Sequence, residues 1–407
     1  MIRAITHKLK SHYSLGIMAF GSFSVFFANL LFKESLNLEH YYNYSILIVF
    51  IALMNSFGLF GLEQVFVRIT TIKNGVLEVS KKNIQAISLF TILNAALFSW
   101  ILKTNYQFSE HFLILTLMSF AVIWLLFFYN LFRLNSQFVI AQIASNSWKV
   151  FLGIAVIISS AFKLNPTFHQ LFIGLLIVLL ACSIYCYLLA KNIRIVYKDL
   201  MSVKEISKLS FQFFISLLTL SFIAQSDKLI VDKIFGAEEF VNYFFLANLF
   251  LFPFSFIQSY IGFKEIVVMK GEKPYPLWAN TLKVFLFAIV FAIVLVVMVS
   301  LLIDLGLLKI SFAKNQSIIL LFLSTGILRL VYAIYSAYFS CFASVQILRK
   351  ANLVSIVVIS IIVATVFKYT DSTADLAFFL CAIWASRLII WAYFAHNIRK
   401  YIPLNKF

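Results

Sequence analysis

Residues 209–262 read LSFQFFISLLTLSFIAQSDKLIVDKIFGAEEFVNYFFLANLFLFPFSFIQSYIG. Two long apolar spans enclose Asp227, Lys228, Asp232 and Lys233, and no other stretch sets a carboxylate so deep in apolar sequence. The first span, 209–231, is long enough at ~1.5 Å per residue to cross a ~30 Å hydrocarbon layer. At ~100° per residue, Gln212, Ser216, Thr219, Ser226 and Asp227 gather on one side, and Ser221, Gln225 and Lys228 on the other. A helix polar on two sides does not lie bare in lipid, where unpaired polar groups cost several kcal/mol. The pattern predicts a span inside a helical bundle, with protein on one face and a wet cavity on another. Two readings of Asp227 stand. It is either a carboxylate near its helix end, with Lys228 pairing Asp232 one turn on, or a lumen or coupling-ion group.

The whole chain fits this setting. Of 407 residues, 62% are hydrophobic and 12% charged, whereas soluble domains carry roughly 25% charge. We expect a polytopic, all-α membrane protein of twelve spans: 13–32, 41–62, 84–102, 111–132, 147–162, 168–190, 209–231, 239–262, 281–303, 318–342, 350–367 and 374–395. No cleavage pattern follows the basic start of Arg3, Lys8 and Lys10, so the first apolar stretch reads as a retained span. With a cytoplasmic amino terminus, the inner segments hold 21 Lys and Arg, Lys350 at the edge of the eleventh span counted among them, and the outer ones 7. That bias places both termini in the cytoplasm.

The net charge of +17 then belongs to topology, not to nucleic acid, since no loop combines a continuous basic run with a stacking platform. Cys182, Cys186, Cys341 and Cys381 all lie in apolar spans, where packing explains them better than disulfides or metal. No Walker-type loop occurs, no outer loop exceeds about 14 residues, and the long inner connections are each about 20. A nucleotide-binding or soluble catalytic domain has no room.

The expected organisation is an N-terminal six-helix bundle at 1–190, a basic linker at 191–208, and a C-terminal bundle at 209–407. The halves echo each other. Glu39, Asn43 and Tyr44 precede the apolar part of the second span as Glu238, Asn242 and Tyr243 do in the eighth, at identical spacing. Gly61 with Glu63, and Gly262 with Glu265, close the two spans.

Charges within spans mark candidate function. In the tenth span Thr325, Arg329, Tyr332, Ser336 and Ser340 form one narrow stripe with Arg329 about midway. An arginine there costs at least ~2.5 kcal/mol unless water or a partner meets it, so Arg329 should face water, substrate or a carboxylate such as Asp227. Arg387 lies one turn from Trp384 and from Trp391, where cation–π contact could hold it. Lys149 begins the fifth span and is expected to snorkel to the inner interface beside Trp148. Arg68 and Glu63 are expected at the inner mouth. Lys149, Lys228, Arg329 and Arg387 outweigh Asp227, an excess that attracts anions.

Residues 39–68, EHYYNYSILIVFIALMNSFGLFGLEQVFVR, and 227–243, DKLIVDKIFGAEEFVNY, resemble the Wzx-type O-antigen and polysaccharide flippases of the MATE-like (multidrug/oligosaccharidyl-lipid/polysaccharide) superfamily. The order and spacing of these motifs across twelve spans carry the resemblance along the chain. It implies two six-helix bundles around a central cationic cavity, in the inner membrane of a bacterium. It implies alternating access for an undecaprenyl-pyrophosphate-linked oligosaccharide, contacted by Arg329, Arg387, Lys228 and Arg68. No cofactor is implied beyond a proton or sodium gradient, which Asp227 would couple. Implied partners are membrane lipid and, in the same pathway, a polymerase and a chain-length regulator. The rivals are an ion-coupled drug exporter and, from another class, a glycan polymerase or acyltransferase. The first span holds none of the acidic residues an exporter would bury, and the six His are too scattered for a catalytic cluster.

Overall fold

The computed structural model describes residues 2–73, 76–198, 201–269, 275–306, 308, 310–343 and 345–401. The side chains of Ser216, Ser221 and Ser340, placed above on polar stripes, lie outside this description. The described chain is nearly all helix. Ten helices are long and apolar enough to cross a membrane, or eleven when Gln225–Phe250 and Phe252–Gly262 are taken as one bent span. Many of their apolar side chains are left largely uncovered by the protein: Leu286, Val290, Ile293 and Val294 are each more than half exposed. Such bare apolar surface is stable only against acyl chains.

The chain forms two compact units, Met1–Gln225 and Ser226–Phe407. In unit 1, α1 (Ile2–Ser35) and α2 (Leu38–Phe57) form a hairpin, with Asn37 capping α2 through the His40 N–H at 2.8 Å. A tight turn over 58–61 leads to the short α3 (Leu62–Ile69). α4 (Lys81–Asn105), α5 (Phe112–Leu134), α6 (Phe138–Ala161) and α7 (Phe168–Ala190) complete the bundle. α5 is central and packs on α4, α6 and α7, while α1 lies along α6.

The two connections 70–80 and 191–202 of this unit are joined by a small sheet. β1 (Thr71–Lys73) pairs antiparallel with β2 (Val76–Ser80), which pairs in parallel with β3 (Ile195–Lys198). Lys198 is ion-paired to Glu78 across the parallel pair. The basic stretch 191–208 thus carries a strand and the start of α8 (Val203–Phe250), whose first turn is capped by Ser202 and Glu205. Two hydrogen bonds from Ser202 hold the exposed Glu205 carboxyl below its ordinary pKa.

The beginning of α8 is bound to the turn after α2. Ser210 Oγ–H donates to the Phe60 carbonyl at 2.6 Å, and the Phe60 and Phe214 rings stack at 4.2 Å. Gly61 has φ +76°, and a Cβ there would stand 2.7 Å from the Ser210 carbonyl oxygen. Only glycine meets both conditions.

α8 continues into unit 2, where Gly236 (φ 82°, ψ −176°) interrupts it. In a straight helix Asp227 and Tyr243 would be about 24 Å apart, yet their side chains hydrogen-bond at 3.0 Å. The chain therefore reverses sharply at Gly236, in a conformation essentially restricted to glycine. A break at Leu251 separates α8 from α9 (Phe252–Met269), with Pro253 tolerated in the first turn. α10 (Leu277–Asp304), α11 (Phe312–Phe342), α12 (Val345–Tyr369) and α13 (Thr373–Tyr401) follow. α11 is central here, packed on α9, α10 and α13, with α12 on α13.

Three expectations are corrected. The fifth span begins at Phe138, not near 147, because the polar Gln142 and Asn146 sit within the helix rather than before it, which moves Lys149 from its start to near its middle. Gly262 lies inside α9 and does not repeat the turn at Gly61. The sheet is an addition to an otherwise all-α chain.

Candidate functional site

The interior of unit 2 holds a connected group of charges. Asp227 is 6% exposed, and its Oδ2 accepts from Tyr243 at 3.0 Å. Its Oδ1 lies 3.8 Å from Lys228 Nζ. Arg329, on α11, is near enough for its charge and those of Asp227 and Lys228 to interact. The Arg329 Nε–H donates to Gln258 Oε1 of α9 at 3.1 Å, and its guanidinium lies 5.0 Å from the Trp384 ring of α13. Gln258 thus turns the guanidinium and Trp384 provides the face that holds it.

Trp384 continues the group toward Arg387. Its ring meets Tyr332 edge-on at 5.5 Å, and Tyr332 meets Trp391 at 5.2 Å. Arg387 is 2% exposed and donates from Nε to the Tyr332 hydroxyl at 2.9 Å. Its guanidinium lies 5.1 Å from the Tyr332 ring and 5.5 Å from Trp391. Two cations therefore alternate with three aromatic rings along the seam of α11 and α13. Spacing placed Arg387 between Trp384 and Trp391, but Trp384 serves Arg329 and Tyr332 takes its place. Side chains crossing between helices decide this, and one helix's periodicity does not contain them.

The group is cationic and under-satisfied. Arg387 Nη1 and Asp227 Oδ1 have no hydrogen-bond partner, and neither do the indole N–H groups of Trp384 and Trp391. Thr325 is fully buried with its hydroxyl unpartnered, and Ser336 lies against Tyr332. Buried polar atoms are normally paired, and unpaired ones mark places where water or a ligand belongs.

Of the residues expected at a site, Asp227, Lys228, Thr325, Arg329, Tyr332, Ser336 and Arg387 all belong to unit 2. Arg68 does not. It is exposed on the last turn of α3 in unit 1, whereas Glu63 of the same helix is buried, so these two do not form a shared mouth. Gln258 and Tyr243 were missed as site residues. Gln258 is a lone amide in an apolar stretch, a signal the sequence did contain. Tyr243 stood out only as part of the internal repeat.

That repeat has a structural counterpart. In unit 1 the Tyr44 hydroxyl donates to Asn29 Oδ1 at 2.6 Å, across the hairpin of α1 and α2. In unit 2 Tyr243 makes the same kind of bond to Asp227 across the reversal at Gly236. One copy holds a neutral amide and the other a carboxylate. No protein-family model, curated protein or solved structure matches this chain.

Proposed function

We propose that this chain is a flippase for undecaprenyl-pyrophosphate-linked oligosaccharide, working by alternating access in the inner membrane of a bacterium. The observation that carries the reading is the cation–aromatic ladder of Arg329, Trp384, Tyr332, Arg387 and Trp391, with its two arginines about midway along α11 and α13 of unit 2. A pyrophosphate needs bidentate donors in a low-dielectric setting, and arginine supplies them.

In this reading the two arms of α8 on either side of Gly236 supply the seventh and eighth crossings. That brings the count to twelve in two six-helix bundles, with both termini cytoplasmic. Asp227 is the carboxylate that a proton or sodium gradient would act on, through its bond to Tyr243. A polymerase and a chain-length regulator would take the product on the far side. Glycosyltransferase genes beside this one would support the assignment.

Arg329→Ala tests it. Surface glycan should be lost while protein level and membrane insertion remain those of the wild type, and normal glycan would remove Arg329 from the path. Purified protein that moves no lipid-linked oligosaccharide in proteoliposomes would end the reading. One observation favours a second: the buried Asp227–Tyr243 pair would also serve an ion-coupled exporter. Cation-driven drug efflux without glycan transport would then be measured.

A further inference from the structure

Because α6 begins at Phe138, Lys149 stands near the midpoint of a 24-residue span. Either end is about 17 Å away at ~1.5 Å per residue, beyond what a four-carbon stem bridges by snorkelling. Among the described residues no carboxylate pairs with it. Its Nζ donates to one neutral acceptor, Asn146 Oδ1, at 2.9 Å. The residue as a whole is half-buried. A cation so placed persists where water or an anion meets it.

Its surroundings are organised. Asn146 Nδ2 donates to Gln142 Oε1 and to the Gln142 carbonyl, both at 2.9 Å, which fixes the amide and directs Oδ1 at Lys149. α1 passes so close that a Cβ at Gly21 would lie 2.7 Å from Asn146 Cβ, so this amide has no room to swing away. The Trp148 ring lies 5.7 Å from Nζ. One of three ammonium donors is committed and two remain for an incoming oxygen. The stripe is one positive charge flanked by hydrogen-bonding amides, preorganised before anything binds.

We propose that Gln142, Asn146 and Lys149 form a phosphate-binding station in unit 1, at mid-membrane depth, for the pyrophosphate of a lipid-linked substrate. The inference rests on the flippase reading for the identity of that substrate, but not for the chemistry of the station. The same chemistry would also take free pyrophosphate.

Trp148 provides the measurement. Purified full-length protein in detergent is titrated with inorganic pyrophosphate and, separately, with a short polyprenyl pyrophosphate, following indole fluorescence. Trp148→Phe identifies the component that belongs to the station. Lys149→Ala should weaken the Trp148-dependent response about tenfold, the worth of one charge-assisted hydrogen bond. Lys149→Arg should restore most of it. Lys149→Gln, closer in volume, repeats the test if the alanine variant elutes as aggregate. Response to both probes would assign the station to the phosphate alone, and response to the polyprenyl form only would add the chain as a requirement. Unchanged affinity in the alanine and glutamine variants, with binding weakened by Arg329→Ala, would overturn the station and leave the flippase reading standing. A wild type that binds neither probe would overturn both.

Discussion

At the scale of single residues, the informative comparison is between the two tyrosine hydroxyls of the repeated hairpins. Tyr243 donates to a carboxylate and Tyr44 to an amide, each buried. A hydrogen bond to a charged group contributes about 1.5–3 kcal/mol and a neutral one about 0.5–1.5. Tyr243→Phe also leaves Asp227 with no hydroxyl on Oδ2. Tyr243→Phe should therefore destabilise by about 2 kcal/mol or more and Tyr44→Phe by about 1, read as thermal unfolding midpoints in one detergent. Equal losses would mean that Asp227 carries no charge in the folded protein.

At the scale of elements, two glycines set the path of the chain for different reasons. Gly61 combines a positive φ with contact to the α8 backbone, so a side chain there is both strained and obstructed. Gly236 has positive φ and open space around it. Backbone strain alone costs about 1–3 kcal/mol, and overpacking adds a similar amount. Gly61→Ala should thus be the more damaging, with Gly236→Ala losing only the strain. Folded yield and unfolding temperature of the two variants check the order. If Gly236→Ala were as severe, the reversal that brings Asp227 to Tyr243 would depend on more than a single torsion. The sheet belongs to this scale as well. β3 pairs with β2 across more than a hundred residues of chain, and its Lys198 meets Glu78. An exposed pair of that kind contributes roughly 0–1 kcal/mol, so the backbone ladder holds the two inner connections together.

At the scale of the whole molecule, the charge bias of 21 to 7 and the reversal at Gly236 both bear on the number of crossings. Twelve crossings place both termini on the cytoplasmic side, and eleven place them on opposite sides. Fluorescent-protein fusions at each end, with a periplasmic alkaline phosphatase fusion as the converse, should report cytoplasmic location for both. A periplasmic carboxyl terminus would mean that one arm of α8 does not cross. The membrane character and the order of most spans were legible from the sequence alone, because hydropathy and helical spacing are local properties. The same local reading erred at α6, where Gln142 and Asn146 made the first turns of a spanning helix look like a loop. Partners were legible only within a helix. That Trp384 faces Arg329, that Gln258 turns it, that Tyr243 reaches Asp227 and that 195–198 joins 76–80 as a sheet all depend on which helices and strands become neighbours. Sequence by itself determined a chain of greasy helices bearing a few costly charges, since insertion energy is summed residue by residue. Only the tertiary structure decided which of those charges meet one another, because contacts between helices arise from packing of distant segments, which periodicity along one segment does not encode.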